Sequence, residues 1–580
     1  MGKREFAIKT ADEIDVLIID TLKSGRSFRV EAGAGAGKTH SLMKVIDWLE
    51  QEKDNELKKK GQKIACITYT NVAVDEINSR LKSVGFIQPC TIHNFAWEFM
   101  SFFQSALIRT VGELGLLPNN KDKSVKAVLE DIKRVSYDFG VRYIEEGKLH
   151  LFHNDVIKIF VQLLDNEKFR MLLSKKYPII LIDEYQDSFK TIMDQFIKYF
   201  IEPEKSPQIG LFGDAWQTIY GESGACGEVN NDKLVVINKK FNFRSEKIIV
   251  DVLNKIRPEL PQVSVSSEQN GRIVVINTND YAGSRQTKNP YKGELPDEVL
   301  FSYIDNIRER LSKCGWVGEC KTMMLTHKLL SKQQHYNNLL NFLEDHLRDK
   351  DDEHFRFFMD KVEPVYKALK NNNVKRLFET IGVERRPIQS IEQKMQWKIL
   401  GDALGKARQG TIYQVLKVLE ENRLFGLPPK LAEKLTAFDR WKEGEEPITL
   451  HRKQIKEFYG ISYEEVINAI EFQKPDAEYS TNHGVKGEGY ENVILIMSRG
   501  WNNYKFDELL PLNSSFITDE KQLKAYVRNR NLFYVCCSRA KKRLAVFITF
   551  PVSENFKTYL EYLFGAENIM TYSEFMEDYV

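Results

Sequence analysis

The sequence lacks the features that mark several classes of protein. Its seven cysteines form no pair of C-x-x-C clusters, and Cys536 and Cys537 are adjacent, which suits neither a zinc site nor an ordinary disulfide framework. No stretch approaches about 18 uninterrupted apolar residues, and the first residues contain no apolar core of a signal peptide. We therefore expect buried thiols, no membrane partner and a cytoplasmic location.

An excess of charge of one sign is also lacking. The 580 residues include 84 Lys or Arg and 82 Asp or Glu, which gives a formal net charge of +2. A global basic surface for nucleic acid is therefore excluded, and any such binding must be local. At about 100–200 residues per domain, the length predicts three to five domains.

A glycine-rich loop is the first positive signal. Residues 31–40 read EAGAGAGKTH. They follow Ser27–Val30, a short run containing apolar residues that predicts a strand, and precede Ser41–Leu49, which has helical spacing of apolar residues. Such a loop can point its backbone N–H groups at phosphate oxygens, with the helix N-terminus adding positive potential. The predicted nucleotide-binding residues are Ala32, Gly33, Ala34, Gly35, Ala36, Gly37, Lys38, Thr39 and His40.

The chemistry of this loop depends on two of its residues. Lys38 is predicted to reach the β- and γ-phosphates of a nucleotide, and the Thr39 hydroxyl to bind Mg²⁺. Ala32 stands where the usual pattern has its first glycine. A plain flexible turn is the alternative, and it explains the glycines but not a Lys-Thr pair at the start of a helix.

Acidic residues follow a second buried strand. The apolar run Tyr177–Asp183 leads directly into Glu184, and Asp214 follows the similar run Gln208–Gly213. The carboxyl ends of parallel strands line a ligand crevice, so Asp183 and Asp214 are expected to face the nucleotide. Asp183 suits the magnesium shell, and Glu184 could orient or deprotonate the attacking water. A surface acidic pair is the alternative.

A second sheet domain is predicted further along the chain, and helix-patterned sequence interrupts both domains. One interruption covers about 100–170, and the other spans about 130 residues, where Ile412, Val415, Leu416 and Leu419 share one face. The strands predicted for the second sheet are Leu234–Asn238, Arg272–Ile276, Lys321–Leu325, Val493–Ile496 and Arg543–Ile548.

Seven motifs in order resemble superfamily 1A, the UvrD/Rep-like DNA helicases. Beyond the phosphate loop, the matching segments are TYTN at 68–71, TIH at 91–93, DEYQD at 183–187, GDAWQTIYG at 213–221, FNFRS at 241–245, TNHGVKG at 481–487 and YVCCSRA at 534–540. The resemblance implies an α/β fold with two RecA-like parallel-sheet P-loop NTPase domains, each interrupted by a mainly helical insert. The resemblance implies that domain 1A comprises residues 1–98 and 175–238, with insert 1B at 99–174 between them. It implies that domain 2A comprises residues 239–345 and 476–580, with insert 2B at 346–475 between them.

The resemblance also implies roles at the nucleotide. Lys38 and Glu184 are the implied catalytic residues of the loop and the acidic motif, and Gln217 is the implied γ-phosphate sensor. The resemblance implies that Arg244 and Arg539 reach the γ-phosphate as arginine fingers. It likewise implies that Phe243 stacks on adenine and that Glu488 contacts the ribose of ATP. The plain alternatives are a core aromatic for Phe243 and surface salt bridges for the arginines.

Contacts with DNA are implied by the same motifs. Aromatic side chains can stack on bases, and polar side chains can hold phosphates, although each could be ordinary core. The implied residues are Tyr69, Thr70, Asn71, His93, Trp97, Trp216, Tyr220, Thr481 and His483.

Two functional hypotheses follow. The first is an ATP- and Mg²⁺-dependent helicase or translocase on single-stranded DNA or a tailed duplex, with 3′-to-5′ movement implied by the family. The second is a DNA-sensing ATPase switch beside a separate nuclease subunit, as in bacterial anti-phage systems of the Gabija type. The chain departs from the family by having no glutamine in residues 1–50 and Glu222-Ser223 after Gly221. These departures leave adenine selectivity and unwinding open.

Overall fold

The computed structural model divides the chain into two compact units. The first comprises 1–295, 310–319 and 485–580, and the second comprises 296–309 and 320–484. The residues that the structure describes are 3–68, 71–81, 85–117, 129–137, 142–145, 147–218, 224–266, 270–289, 291–324, 327–343, 347, 352–382, 388, 390–422, 424–440, 450–474, 477–481, 487–499 and 504–579.

Seventeen strands and twenty-four α-helices have defined bounds within these residues. The strands are β1 (Phe28–Ala32), β2 (Ile64–Thr68), β3 (Ile87–Thr91), β4 (Arg134–Tyr137), β5 (Tyr143–Glu145), β6 (Lys148–Leu151), β7 (Ile179–Asp183), β8 (Gln208–Gly213), β9 (Val235–Lys239), β10 (Phe241–Asn242), β11 (Val263–Ser264), β12 (Arg272–Asn277), β13 (Cys320–Met324), β14 (Tyr479–Thr481), β15 (Tyr490–Met497), β16 (Ala540–Ile548) and β17 (Ile569–Thr571).

The helices differ widely in length and occur in both units. They are α1 (Lys3–Lys23), α2 (Lys38–Lys59), α3 (Asn71–Arg80), α4 (Ile92–Met100), α5 (Gln104–Glu113), α6 (His153–Leu164), α7 (Glu167–Lys176), α8 (Lys190–Phe196), α9 (Lys247–Ile256), α10 (Asp297–Lys313), α11 (His327–Gln333), α12 (Asn337–Leu343), α13 (Glu353–Phe357), α14 (Glu363–Lys370), α15 (Val374–Ile381), α16 (Ile391–Ala407), α17 (Ile412–Glu420), α18 (Pro429–Asp439), α19 (Leu450–Gly460), α20 (Tyr463–Phe472), α21 (Phe506–Leu509), α22 (Glu520–Cys537), α23 (Glu554–Phe564) and α24 (Tyr572–Asp578). Over the described ranges, no helix has the length and apolar character needed to cross a membrane.

The first sheet is the parallel six-stranded sheet predicted around the phosphate loop. Its strand order is β3-β2-β7-β8-β1-β9. The strands β1 and β2 are buried along their whole length, and β2 is accordingly apolar over most of its residues. β1 also buries two charged residues, Arg29 and Glu31. In this order β1 lies beside β8, so the phosphate loop and the segment after β8 leave the same edge of the sheet.

One strand prediction is corrected by the pairing. The run at Leu234–Asn238, predicted to begin the second sheet, forms β9, and β9 pairs with β1 in the first sheet. An apolar run predicts a strand but carries no information about its partner. The second sheet instead begins with β12, and the loop that leads into it carries β10 and β11 as a separate two-stranded pair.

The region at about 100–170 is not entirely helical as its pattern predicted. Strands β4, β6 and β5 form a three-stranded sheet in that order, although α5, α6 and α7 are present as expected. Each strand has only three or four residues, which is too short for a periodic signal. Leu149 and Leu151 of β6 are buried in the hydrophobic core that the first sheet shares with these helices.

The other predicted strands are also present. In the first unit, a second sheet has the strand order β15-β16-β12-β17, with parallel pairing throughout. In the second unit, β13 and β14 pair with each other in parallel. The α/β fold class with two parallel sheets is therefore confirmed.

The second unit is dominated by helices, α11 to α20. The predicted apolar face of α17 is fully buried, and its four residues lie in a core that also includes Trp397 and Tyr463. In the same unit Arg408 donates to both carboxylate oxygens of Glu363, at 2.9 and 2.8 Å. Helical periodicity was a sufficient guide here because each helix buries one apolar face.

Candidate nucleotide site

The phosphate loop has the backbone conformation that its glycines predict. Gly35 and Gly37 have φ values of 73° and 76°, in the left-handed region that glycine adopts without strain. Gly37 is the N-cap of α2, which begins at Lys38. The loop therefore ends at the N-terminus of a 22-residue helix, where unpaired N–H groups and the helix dipole favour an anion.

The loop lies close to a segment from beyond the first sheet. The backbone N–H of Phe243 donates to the carbonyl of Gly35 at 2.9 Å, and the Asn242 side chain donates to the carbonyl of Ala34 at 2.9 Å. A Cβ on Gly35 would lie 2.7 Å from Arg244 Cβ and from Asn242 Oδ1. This close approach requires glycine independently of its φ angle.

Glu184 lies opposite the loop lysine. Lys38 Nζ is 3.5 Å from Glu184 Oε1, and the Gln186 side-chain amide donates to Glu184 Oε2 at 2.6 Å. Glu184 has φ 49°, a left-handed conformation that disfavours residues other than glycine. Strain at a residue that two neighbours hold in place is typical of a functional position. The structure thus brings together Lys38 and Glu184, two of the predicted catalytic residues.

A chain of hydrogen bonds joins Asp214 to the predicted arginine finger. Gln217 Nε2 donates to Asp214 Oδ2 at 2.7 Å, and Gln217 Oε1 accepts from Arg539 Nη2 at 3.2 Å. Arg539 is fully buried and also donates to the carbonyls of Glu488 and Val535, each at 3.0 Å. The Gln217 amide is therefore oriented from both ends, with its nitrogen toward the acid and its oxygen toward the arginine.

Asp214 does not lie open to a nucleotide as expected. It is fully buried, and its carboxylate accepts from Gln217, from the N–H of Trp216 at 3.1 Å and from Arg257 at 2.5 Å. Protein donors therefore surround both oxygens. Asp183 is also buried, and one of its oxygens accepts from the N–H of Glu184 at 3.0 Å.

Two predicted arginine fingers lie near one another. Arg244 donates to the carbonyls of Gly487 at 3.0 Å and Ser538 at 3.4 Å. Burial, and then the charge of Arg539, lower the pKa of Arg244 to about 9, while Glu184 opposes that change. Burial likewise lowers the pKa of Arg539. Because carboxylates do not fully neutralise these guanidinium groups, an anion beside them would be stabilised.

The residues present fit the triphosphate of a magnesium nucleotide. The loop supplies backbone N–H groups and Lys38, and Thr39 lies half-buried on the first turn of α2. Arg244 and Arg539 supply positive charge. Hydroxyl and carboxylate oxygens such as those of Thr39 and Asp183 are ligands that Mg²⁺ accepts. Bound ATP with Mg²⁺ would supply the reacting phosphoryl group, and these residues would hold and orient it.

The side chains predicted to contact the base and the ribose are exposed. Phe243 is 44% exposed, so its ring is available for stacking, and His40 is exposed at the start of α2. The Glu488 carboxylate accepts from the hydroxyl of Tyr490, while its backbone carbonyl accepts from Arg539. Phe243 therefore has the exposure that a base-stacking residue requires and a core aromatic lacks.

Several residues at the site were not singled out from the sequence. The Tyr534 hydroxyl accepts a hydrogen bond from the backbone N–H of Ala34 in the loop at 3.2 Å. Its place in the YVCCSRA motif could have indicated it. Arg257, which follows α9, and Glu31, at the end of β1, form a buried ion pair at 2.9 Å. Nothing in the sequence distinguishes Arg257 from an ordinary helix-terminal arginine.

The predicted DNA-contacting residues are placed less uniformly. Tyr69, Thr70, Tyr220 and His483 lie outside the described residues, Asn71 begins α3, and Thr481 ends β14 in the second unit. His93 is buried and stacks on His153, with ring centroids 3.5 Å apart. Trp97 packs against the core beside Tyr137.

Trp216 is covered by a cation rather than open. The Arg530 guanidinium of α22 lies 3.4 Å from the centre of the Trp216 ring, and the Tyr534 ring meets it edge-on at 5.8 Å. The Asn531 side chain also donates to the carbonyl of Thr218 at 3.3 Å. In this arrangement Arg530 of α22 covers one face of the Trp216 ring.

Comparisons with known proteins match this architecture. An AAA domain family matches residues 17–223, which contain the phosphate loop and the acidic strand end. The chain is 23% identical to the Gabija protein GajB of Bacillus cereus (strain HuB5-5) over 94% of this chain and 96% of that protein. It is 25% identical to the GajB of Bacillus cereus (strain VD045) over 93% and 96%.

A more distant relative is itself a helicase. The mitochondrial ATP-dependent DNA helicase HMI1 of Saccharomyces cerevisiae is 25% identical over 40% of this chain and 38% of that protein. The GajB matches extend over nearly the whole length of both chains. The resemblance stated from the motifs is confirmed.

Proposed function

We propose that this UvrD/Rep-like chain is an ATPase that couples ATP hydrolysis to movement on single-stranded DNA. The observation that supports this most is the connection from Arg539 through Gln217 to Asp214. Arg539 lies between α22 and β16 of the second sheet. Gln217 and Asp214 follow β8 of the first sheet. A nucleotide held by the phosphate loop would thus meet groups from both sheets.

The proposed chemistry follows from the positions of these groups. Lys38 and the loop N–H groups would hold the phosphates, and Glu184 would orient or deprotonate the attacking water. Arg244 and Arg539 would stabilise the charge that develops on the transferred phosphoryl group. Because the arginines and the loop belong to different sheets, hydrolysis would remove the anion that both sides hold. Release of that anion would let the two sheets separate, in the 3′-to-5′ motor cycle that the family implies.

The ATPase is tested with two variants and a matched control. Lys38→Ala and Glu184→Gln are expected to lose DNA-stimulated ATPase, with rates falling about a thousand-fold or more. Lys59→Ala, which removes an exposed lysine at the far end of the same helix, is expected to keep it. Wild-type ATPase that does not respond to single-stranded DNA at low salt would remove the basis of this proposal.

A second function is favoured by two specific observations. The end-to-end similarity to two Gabija proteins, together with the covered face of Trp216, supports a DNA-sensing switch that acts beside a separate nuclease in anti-phage defence. In that function the chain hydrolyses ATP on DNA without separating strands. A strand-displacement assay on 3′-tailed and 5′-tailed duplexes separates the alternatives. Unwinding of the 3′-tailed duplex by the purified chain supports the motor, and DNA-stimulated ATPase without unwinding supports the switch.

A further inference from the structure

Arg257 connects the two sheets at a position outside every motif noted in the sequence. It follows α9, a helix that packs on β12 and β16 of the second sheet. Its guanidinium donates to Asp214 Oδ1 at 2.5 Å and to Glu31 Oε1 at 2.9 Å. Glu31 lies just before the phosphate loop, and Asp214 comes directly after β8. One side chain therefore joins two strand ends of the first sheet.

These charges are buried and depend on one another. Arg257, Glu31 and Asp214 are 4%, 7% and 0% exposed. Burial alone would lower the pKa of Arg257, but the facing carboxylates of Asp214 and Glu31, with Tyr534, raise it above its ordinary value. The arginine is therefore firmly charged, and its removal would leave two carboxylates in the interior with less compensation.

Each carboxylate bound by Arg257 also fixes a group at the nucleotide site. Asp214 accepts from Gln217, and so turns the Gln217 amide oxygen toward Arg539. Glu31 accepts from the N–H of Ala215 at 3.1 Å and from the hydroxyl of Tyr185 at 3.0 Å. Ala215 and Tyr185 belong to the segments that carry Gln217 and Glu184. The segments that carry Gln217 and Glu184 therefore share Arg257 as a common support.

We propose that Arg257 is a positioning residue for ATP hydrolysis, which holds Asp214 and Glu31 so that Gln217 presents its amide oxygen to Arg539. The inference rests on the proposed ATPase function. Arg257 itself does not touch the phosphate loop lysine or the acidic pair in the described contacts. Its effect should therefore appear in the rate of the chemical step rather than in nucleotide affinity.

The test compares Arg257→Met with Lys247→Met, an exposed lysine on the same helix that pairs only with Asp251 in the described structure. Arg257→Met is expected to lower kcat for ATP about 100-fold, with KM changed less than about threefold, because Lys38 and the loop remain. Lys247→Met is expected to leave both constants unchanged. Arg257→Lys keeps the charge but cannot span both acids with one amine, so its kcat should be intermediate.

A double-variant cycle distinguishes positioning from general destabilisation. If Arg257 acts through Asp214, Arg257→Met combined with Asp214→Asn should reduce kcat no further than the worse single variant. Losses that multiply, or a raised KM with unchanged kcat, would overturn the inference. If Arg257→Met does not fold, the Lys variant is measured alone, and a kcat equal to wild type overturns it. The kcat and KM values are measured on the basal ATPase, without DNA. If DNA does not stimulate the wild-type ATPase, the proposed motor is refuted, but the comparison of variants still tests the role of Arg257.

Discussion

Substitution of Gly35 by alanine isolates the role of the close approach at the phosphate loop. The added methyl meets two separate obstacles. The backbone φ of 73° is strained for alanine by about 1–2 kcal/mol. The new Cβ would also lie 2.7 Å from Arg244 Cβ and from Asn242 Oδ1, well inside contact distance.

The second obstacle cannot be relieved by a small side-chain movement. Asn242 is fully buried, and its Oδ1 accepts from the backbone N–H groups of Arg244 and Ser245, both at 2.9 Å. Displacing it gives up these two hydrogen bonds, at about 1 kcal/mol each. Gly35→Ala should therefore cost about 3–4 kcal/mol of stability and move Arg244 and the loop apart.

Gly61 provides the matched control. Its φ is 63°, and a Cβ there would meet nothing within 4 Å. Gly61→Ala should therefore carry only the backbone cost of about 1–2 kcal/mol. Denaturant unfolding and titration with a non-hydrolysable ATP analogue measure both variants. We expect Gly35→Ala to lose most nucleotide affinity and Gly61→Ala to retain it. Equal stability losses, with affinity unchanged in both variants, would refute the reasoning.

Two further predictions concern buried charges away from the nucleotide. Burial raises the pKa of Glu294 from 4.5 to about 7, so the folded chain keeps a proton that the unfolded chain releases. Stability should therefore fall by about 2 kcal/mol as pH rises from about 5 to about 7. Glu294→Gln should flatten that dependence, whereas substitution of the exposed Glu508 by Gln should not. In the second unit, Arg408→Met leaves the buried Glu363 carboxylate unpaired and should cost about 3–5 kcal/mol in thermal or denaturant unfolding. Adding Glu363→Leu should recover most of that loss, and no recovery would contradict the ion-pair explanation.

Strands and helices of the sheets were predictable where one physical signal dominated. The apolar run at Gln208–Gly213 was predicted as a strand and forms β8, because a strand covered on both faces buries mainly apolar residues. The partner of β9 was not predictable, since pairing depends on topology rather than on local pattern. The short strands β4 to β6 were missed because three or four residues cannot establish a period.

Residues of the site were predictable only where a motif carries them. The sequence motifs named Lys38, Glu184, Gln217 and Arg539. The structure places Lys38 beside Glu184, and Gln217 beside Arg539, in the candidate nucleotide site. Arg257 could not be named, because its function depends on two acids that are 226 and 43 residues away in sequence. The covered face of Trp216 was equally inaccessible, since a motif identifies an aromatic ring but not what packs against it.

The helix α22 carries several contacts of the candidate site on one continuous element. Within its last turns it places Arg530 on Trp216, Asn531 on the Thr218 carbonyl and Tyr534 on the loop, and Arg539 follows its end. A displacement of the whole helix would shift these contacts together. The 18-residue helix is about 27 Å long, so the same displacement would also move the exposed residues near Glu520.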